Sequence, residues 1–303
     1  MERQQGRIVK ALGGFYYVEA EGSLLECRAR GLFRRQETSP LVGDLAVVEP
    51  TGEGTGYVVE LLPRKNALVR PPLANLDQLF LVCSVFDPAP NLFVLDKLIA
   101  VAEHKGIAPL IVFTKTDLTE GTELSALYRE AGFPVFEVSS LTGEGVGPVK
   151  AALTGRLSAF CGNSGVGKSS LLNCIDPRLA LPTADISRKL GRGRHTTRHV
   201  QLYHVEGGLV ADTPGFSSME LERYEVILKD ELQECFREFA PYREKCRFTG
   251  CSHTREKGCA VLEAVARGEI APSRHESYTA LYEAAKNIRE WELKGTAGRE
   301  ARP

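Results

Sequence analysis

The chain has 303 residues, enough for two or three domains that each bury a core. Its 43% hydrophobic and 25% charged residues are ordinary for a water-soluble globular protein, and no apolar run is long enough to span a bilayer. A formal net charge of −1 excludes a globally basic nucleic-acid binder, so contact with a polyanion must come from local patches; no leader-like apolar core follows Met1, so a cytoplasmic location without a membrane partner is expected.

Residues 1–65 read as a small all-β unit. Short apolar runs (Ile8-Val9, Phe15 to Val18, Leu41-Val42, Leu45 to Val48, Tyr57 to Val59) alternate with turns such as Gly13-Gly14. About five strands in this length suit an OB-like β-barrel; any other small barrel is the plainer alternative. Arg28, Arg30, Arg34 and Arg35 would give it an RNA-facing surface, or only a solvated one. Residues 63–72 read as a linker. Strand and helix patterns then alternate over 66–217: strands at 78–85, 108–113, 134–138, 157–161, 200–205 and 209–212, with helices at 92–105 and 123–131. This is the rhythm of an open α/β sheet covered on both faces. Residues 218–293 turn to charged helices, a Cys/His cluster and a helix over 275–293, a mainly helical metal-binding domain. Residues 294–303 read as a disordered tail.

Gly162, Asn163, Ser164, Gly165, Val166, Gly167, Lys168 and Ser169 match the phosphate-loop pattern in full, with an apolar strand before and a helix after. Backbone N–H groups, extending to Ser170, would cradle the phosphates at a helix N-terminus. Lys168 would compensate charge on the transferring phosphoryl group, and Ser169 would ligate Mg²⁺. Asp212 ends a strand, as a second Mg²⁺ anchor should, and Gly215 would reach the γ-phosphate. Between them a Thr should close over Mg²⁺: Thr197 is the first choice and Thr196 the second. Phe113-Thr114-Lys115-Thr116-Asp117 reads as the guanine reader, the Asp117 carboxylate accepting from two donors on the base. Thr114 stands where Asn is usual. Ser139 and Ser140 fall where a further backbone contact to guanine belongs. The base reader precedes the phosphate loop, the reverse of the usual order, so the nucleotide domain reads as circularly permuted.

Cys246, Cys251, His253 and Cys259 supply three thiolates and one imidazole, a closed set suited to one structural Zn²⁺; uncoordinated cysteines and an iron–sulfur site are the alternatives. Arg243, Lys245, Arg247, Arg255 and Lys257 lie around it. Residues 188–198 carry five basic residues and no acid, in the segment expected to sense the nucleotide. Phe216 follows Gly215 where small G proteins hold a water-orienting Gln. His195 is the internal candidate for that role, with an RNA-facing residue as its alternative.

Together these motifs, with Arg70-Pro71-Pro72 and Asn75-Leu76-Asp77-Gln78, resemble the ribosome-small-subunit-dependent GTPase A family. The resemblance implies an OB domain, a permuted GTPase domain and a zinc domain. It also implies GTP hydrolysis to GDP and phosphate, stimulated by the small ribosomal subunit during its late maturation, with rRNA contact through the outer domains of a monomer. Two other readings are a GTPase serving metal delivery and an RNA scaffold that binds nucleotide without turnover.

Overall fold

A computed structural model of the chain describes residues 2–29, 33, 39–119, 122–181, 200–212 and 225–288. Five strands come first: β1 (Gln4–Leu12), β2 (Phe15–Ala20), β3 (Ser23–Ala29), β4 (Leu45–Gly52) and β5 (Thr55–Leu61). Ile8, Val18, Leu25, Cys27, Val48 and Val58 point inward and are buried, the period-two pattern of a half-buried strand. β1 pairs with both β2 and β4, and β3 runs parallel to β5, so the order β1–β2–β3–β5–β4 closes into the expected OB-like barrel. Closure presses β1 on β2 at Gly6, where a Cβ would lie 2.4 Å from the Glu19 carbonyl oxygen.

Two strand expectations change. Leu41-Val42 sits between Pro40 and Gly43, the latter at φ +95°, and makes only an isolated bridge from Val42 to Leu73. The fifth barrel strand is β3, whose adjacent Leu24 and Leu25 hide the alternation; Leu24 is exposed and Leu25 buried.

The expected linker is a packed joint. β6 (Ala67–Leu68) pairs with β7 (Leu73–Ala74), burying Leu68 and Leu73. Arg64 Nε donates to Asp44 Oδ1 at 2.6 Å. Asn66 hydrogen-bonds both the N–H and the carbonyl of Leu76, at 2.9 and 2.8 Å. Asn75, in the left-handed region, accepts from Lys65 N and donates to the Gly43 carbonyl. Side-chain amides thus satisfy the backbone where the chain leaves the barrel.

The second unit is an open sheet in the order β10–β9–β8–β11–β13–β12, built from β8 (Gln78–Ser84), β9 (Ala108–Thr114), β10 (Val135–Val138), β11 (Leu157–Cys161), β12 (Gln201–Val205) and β13 (Gly208–Asp212). All neighbours are parallel except β12 against β13. β8 and β9 are buried along nearly their whole length, as parallel strands between two helical layers must be. Helices Leu92–His104 and Thr122–Glu130 cover one face, and Val146–Leu153 with Lys168–Ile175 the other. The strand pair Lys10↔Gln201 continues β12 into β1, so barrel and open sheet form one eleven-stranded sheet.

From residue 225 the charged sequence forms short 3-10 turns (Leu232–Cys235, Arg237–Phe239) and one α-turn (Ala240–Arg243) rather than the expected long helices. The chain must bend to bury both Phe236 and Phe239 with Tyr278 and Val261. Helices Ala260–Ala266 and Pro272–Ala285 follow the metal-ligand candidates. The second starts earlier than the sequence pattern implied, because Pro272 serves the first turn where no N–H is needed. Its expected continuation to 293, and the tail, fall outside the described residues after 288. This unit docks on Leu92–His104 through a buried ion triad: Arg274 Nη1 to Asp96 Oδ1 at 2.7 Å, and Arg274 Nε to Glu238 Oε1 at 2.7 Å. Tyr128 OH adds a bond to Asp96 Oδ1 at 2.9 Å. Among the described residues no helix is long and apolar enough to cross a membrane.

Candidate nucleotide site and metal cluster

β11 lies between β8 and β13 and delivers Gly162 to Gly167 at its C-terminal end, ahead of helix Lys168–Ile175. Two glycines allow the loop to turn, Gly165 at φ +82° and Gly167 at φ +96°. Gly162 is needed for a different reason: a Cβ there would lie 2.3 Å from the Val82 carbonyl oxygen of β8. Asn163, Ser164 and Gly165 face solvent at the loop tip, while Val166 is buried beneath it. Lys168 Nζ donates to the Gly162 carbonyl and, at 2.9 Å, to that of Asn163, so the ammonium folds over the loop. Burial pulls its pKa below the ordinary value, with Cys161 and Cys83 opposing. Ser169 and Ser170 sit in the first turn of the helix, half-buried.

The base-reader candidates come to the same edge. Thr114 ends β9, and its hydroxyl lies within hydrogen-bond reach of the Val166 carbonyl of the phosphate loop and, at 3.2 Å, of the Cys83 carbonyl of β8. Lys115 adopts φ +63°, a left-handed conformation that costs a non-glycine residue about 1–2 kcal/mol. Its Nζ donates to the Asp87 carbonyl in the loop after β8. Thr116 is half-buried and Asp117 exposed. Ser139 Oγ donates to Asp117 Oδ1 at 2.7 Å, which orients the carboxylate. The buried Ser140 hydroxyl has no hydrogen-bond partner among the described residues, while its carbonyl accepts from the Cys174 thiol at 3.2 Å. Cys174 lies on the helix after the phosphate loop, so it joins the two candidate loops, a link that the sequence pattern does not mark. Nor did the sequence single out Asp87, whose role is carried by a main-chain carbonyl.

Asp212 ends β13, beside β11, and its side chain is outside the described residues. So are His195, Thr196, Thr197, Gly215, Phe216 and the basic segment 188–198, together with Arg30, Arg34 and Arg35 of the barrel.

In the C-terminal unit Cys246, Cys251, His253 and Cys259 bring four ligand atoms within 4.8 Å of one another. Cys246 Sγ is 3.9 Å from Cys259 Sγ, and His253 Nδ1 is 3.6 and 3.4 Å from those sulfurs. Tetrahedral coordination with bonds of about 2.3 Å to sulfur and 2.0 Å to nitrogen places neighbouring ligand atoms roughly 3.5–3.8 Å apart, so the set fits such an ion. Gln233 Oε1 stands 3.0 Å from His253 Nε2, fixing the proton there and leaving the Nδ1 lone pair toward the sulfurs. Burial also lowers the His253 pKa, favouring the neutral imidazole that a metal needs. Glu256 braces the loop by accepting from Ser252 N and from the N–H groups of Thr254 and Arg255. Burial raises its pKa, but the hydrogen bond from the Ser252 hydroxyl, with those from the N–H groups of Arg255 and Ser252, outweighs it and brings the carboxyl down to about 2. Gln233 and Glu256 carry no sequence signal that distinguishes them from surface residues.

Comparison with known proteins gives two adjoining family matches, RsgA N-terminal domain over residues 5–58 and RsgA GTPase over residues 61–222. Proteins named small ribosomal subunit biogenesis GTPase RsgA are similar along most of their length. The one from Geobacillus thermodenitrificans is 49% identical over 280 residues, 90% of this chain and 94% of its own. That from Caldanaerobacter subterraneus subsp. tengcongensis is 47% identical, over 94% and 97%. Among solved structures, YjeQ from Thermotoga maritima matches with a TM-score of 0.80 at 34% identity, covering 95% of this chain and 100% of that one. YloQ, described as a circularly permuted GTPase, matches with a TM-score of 0.79 at 36% identity, over 95% and 96%.

Proposed function

The chain belongs to the RsgA family of small ribosomal subunit biogenesis GTPases, and from that membership we propose that it binds the small ribosomal subunit and couples GTP hydrolysis to a late step in that subunit's maturation. It is a GTP-hydrolysing enzyme by family. The observation that most supports an assembled site is the bond from Thr114 to the Val166 carbonyl. It joins base reader and phosphate loop in space although the chain presents them in reversed order.

On this reading the phosphate loop, Gly162 to Ser170, grips the phosphates, with Lys168 compensating charge in the transition state. Thr114 to Asp117, Ser139 and Ser140 read guanine. Ser169, Asp212 and Thr197 (Thr196 as second choice) hold Mg²⁺, and Gly215 contacts the γ-phosphate. Cys246, Cys251, His253 and Cys259 hold one structural Zn²⁺. Four protein donors, which leave no open position on the ion, favour this over a GTPase that hands metal on. The units divide near residues 65 and 217. The protein acts as a cytoplasmic monomer that touches rRNA through the barrel and the metal domain. His195 orients the attacking water once the basic segment 188–198 is ordered on RNA.

The test is GTP hydrolysis with and without purified small subunits. Slow basal turnover, strong stimulation, and near-abolition in Lys168→Ala are expected. His195→Ala should lose stimulation and keep GTP affinity. Fast turnover by the isolated protein, or no response to small subunits, overturns the reading.

A further inference from the structure

The loop between Cys246 and Cys251 is short and held at both ends by metal-ligand candidates. At its tip Phe248 is 53% exposed. A large aromatic ring is left in water on a braced loop that has a buried aromatic core close by. The Arg247 guanidinium lies 5.4 Å from the Phe248 ring centroid. Arg247 N donates to the Gly258 carbonyl at 2.9 Å, and its stem crosses Gly258, where a Cβ would come within 3.1 Å of Arg247 Cβ. This contact brings the second loop, with Arg255 and Lys257, alongside the first.

Arg247, Arg255 and Lys257 are exposed, and no carboxylate among the described residues pairs with them. Glu256 lies between two of these cations, yet its carboxylate is occupied by the Ser252, Thr254 and Arg255 N–H groups. Arg243, by contrast, is taken by Glu234. The loop tips therefore present positive charge around an exposed ring. A planar ring and guanidinium beside unpaired cations suit a base whose face is free and whose phosphates lie close. A duplex offers phosphates but no free base face.

We propose that Phe248, with Arg247, is a stacking platform for an unpaired nucleotide of RNA, and that Arg255 and Lys257 take flanking phosphates. This rests on the reading that the chain works on the small ribosomal subunit, and it names the form of RNA that the metal domain recognises.

The experiment uses the full chain with its metal. The chain has one tryptophan, Trp291, so Phe248→Trp in a Trp291→Phe background places the sole indole on the platform. A single-stranded oligouridylate should quench that indole, and an RNA duplex of equal length should not. Phe248→Ala should weaken single-strand binding by about tenfold, as loss of one stacked base does, and leave duplex binding, metal content and unfolding midpoint unchanged. Arg255→Ala with Lys257→Ala should weaken both RNAs and lower the salt slope by about 2. The platform is overturned if the indole is not quenched or Phe248→Ala binds single strands as well as wild type. A variant that loses small-subunit binding but keeps oligonucleotide binding also overturns it, making Phe248 a protein contact. Stimulated GTP hydrolysis by the wild type, measured in parallel, keeps these outcomes separate from failure of the functional reading.

Discussion

The Thr114 hydroxyl donates to the Val166 carbonyl, tying the strand that carries the candidate base reader to the loop that follows β11. Thr114 is 1% exposed, so water cannot replace the bond if it is lost. A hydroxyl has one proton, so the nearby Cys83 carbonyl competes for it. Thr114→Val keeps the shape and leaves the Val166 carbonyl without this donor. Affinity for GTP and GDP should fall by roughly tenfold, equivalent to about 1–1.5 kcal/mol, with the fold intact. Calorimetric titration checks this, and unchanged affinity would show that the two loops are set independently.

Asp117→Asn should exchange base preference. The Ser139 hydroxyl still donates to the amide oxygen, so the loop should hold its place. The amide loses charge-assisted acceptance from guanine and gains a donor suited to the extra oxygen of xanthine. GTP binding should weaken by about 2–3 kcal/mol, and xanthosine triphosphate should become the better ligand. Competition binding with the two nucleotides decides it; an unaltered preference removes Asp117 from the base site.

Chelation, or Cys251→Ser, should loosen residues 225–288 and spare the open sheet. The C-terminal unit has a small core, and metal-binding energy is folding energy in such a unit. Elemental analysis should find one zinc per chain in the wild type. Hydrogen exchange should then show lost protection confined to the C-terminal unit. A wild type without bound metal would refute this outright.

Arg274→Met should destabilise strongly. It leaves Asp96 and Glu238 as buried carboxylates without their cation. Breaking such a pair from one side costs about 3–5 kcal/mol. Denaturant unfolding measures it, and a loss below about 1 kcal/mol would mean the carboxylates find other partners.

The candidate nucleotide and metal residues stand out in the sequence because the chemistry proposed for them demands fixed types at fixed spacing, and the structure brings Thr114 against the loop after β11 and the four ligand atoms together. The phosphate loop needs glycines where φ is positive, and four metal ligands need thiols and an imidazole within one short segment. β3 was not legible, since Leu24 and Leu25 blur the alternation that marks a strand. Nor was the docking of the C-terminal unit. Asp96 lies on a helix of mostly apolar character, and Arg274 falls just before the stretch whose pattern announced the last helix. Partners so far apart in sequence are joined by tertiary packing alone, and no local periodicity reports that. The 63–72 segment misled for the opposite reason: its prolines suggest a spacer, but its backbone is satisfied by Asn66 and Asn75.

The reversed order of the two recognition loops has a consequence for synthesis. β8, β9 and β10 are consecutive in the chain and adjacent in the sheet, so they can pair as they emerge, forming first the edge that carries the candidate base reader. The other edge of β8 must wait for β11, which carries the phosphate loop. On the proposed reading, a chain grown to that point carries the base-reading residues before the loop that would grip a triphosphate, and Thr114 still lacks its Val166 partner. On the same reading, nucleotide would begin to stabilise the domain only once β11 and the loop that follows it have been made.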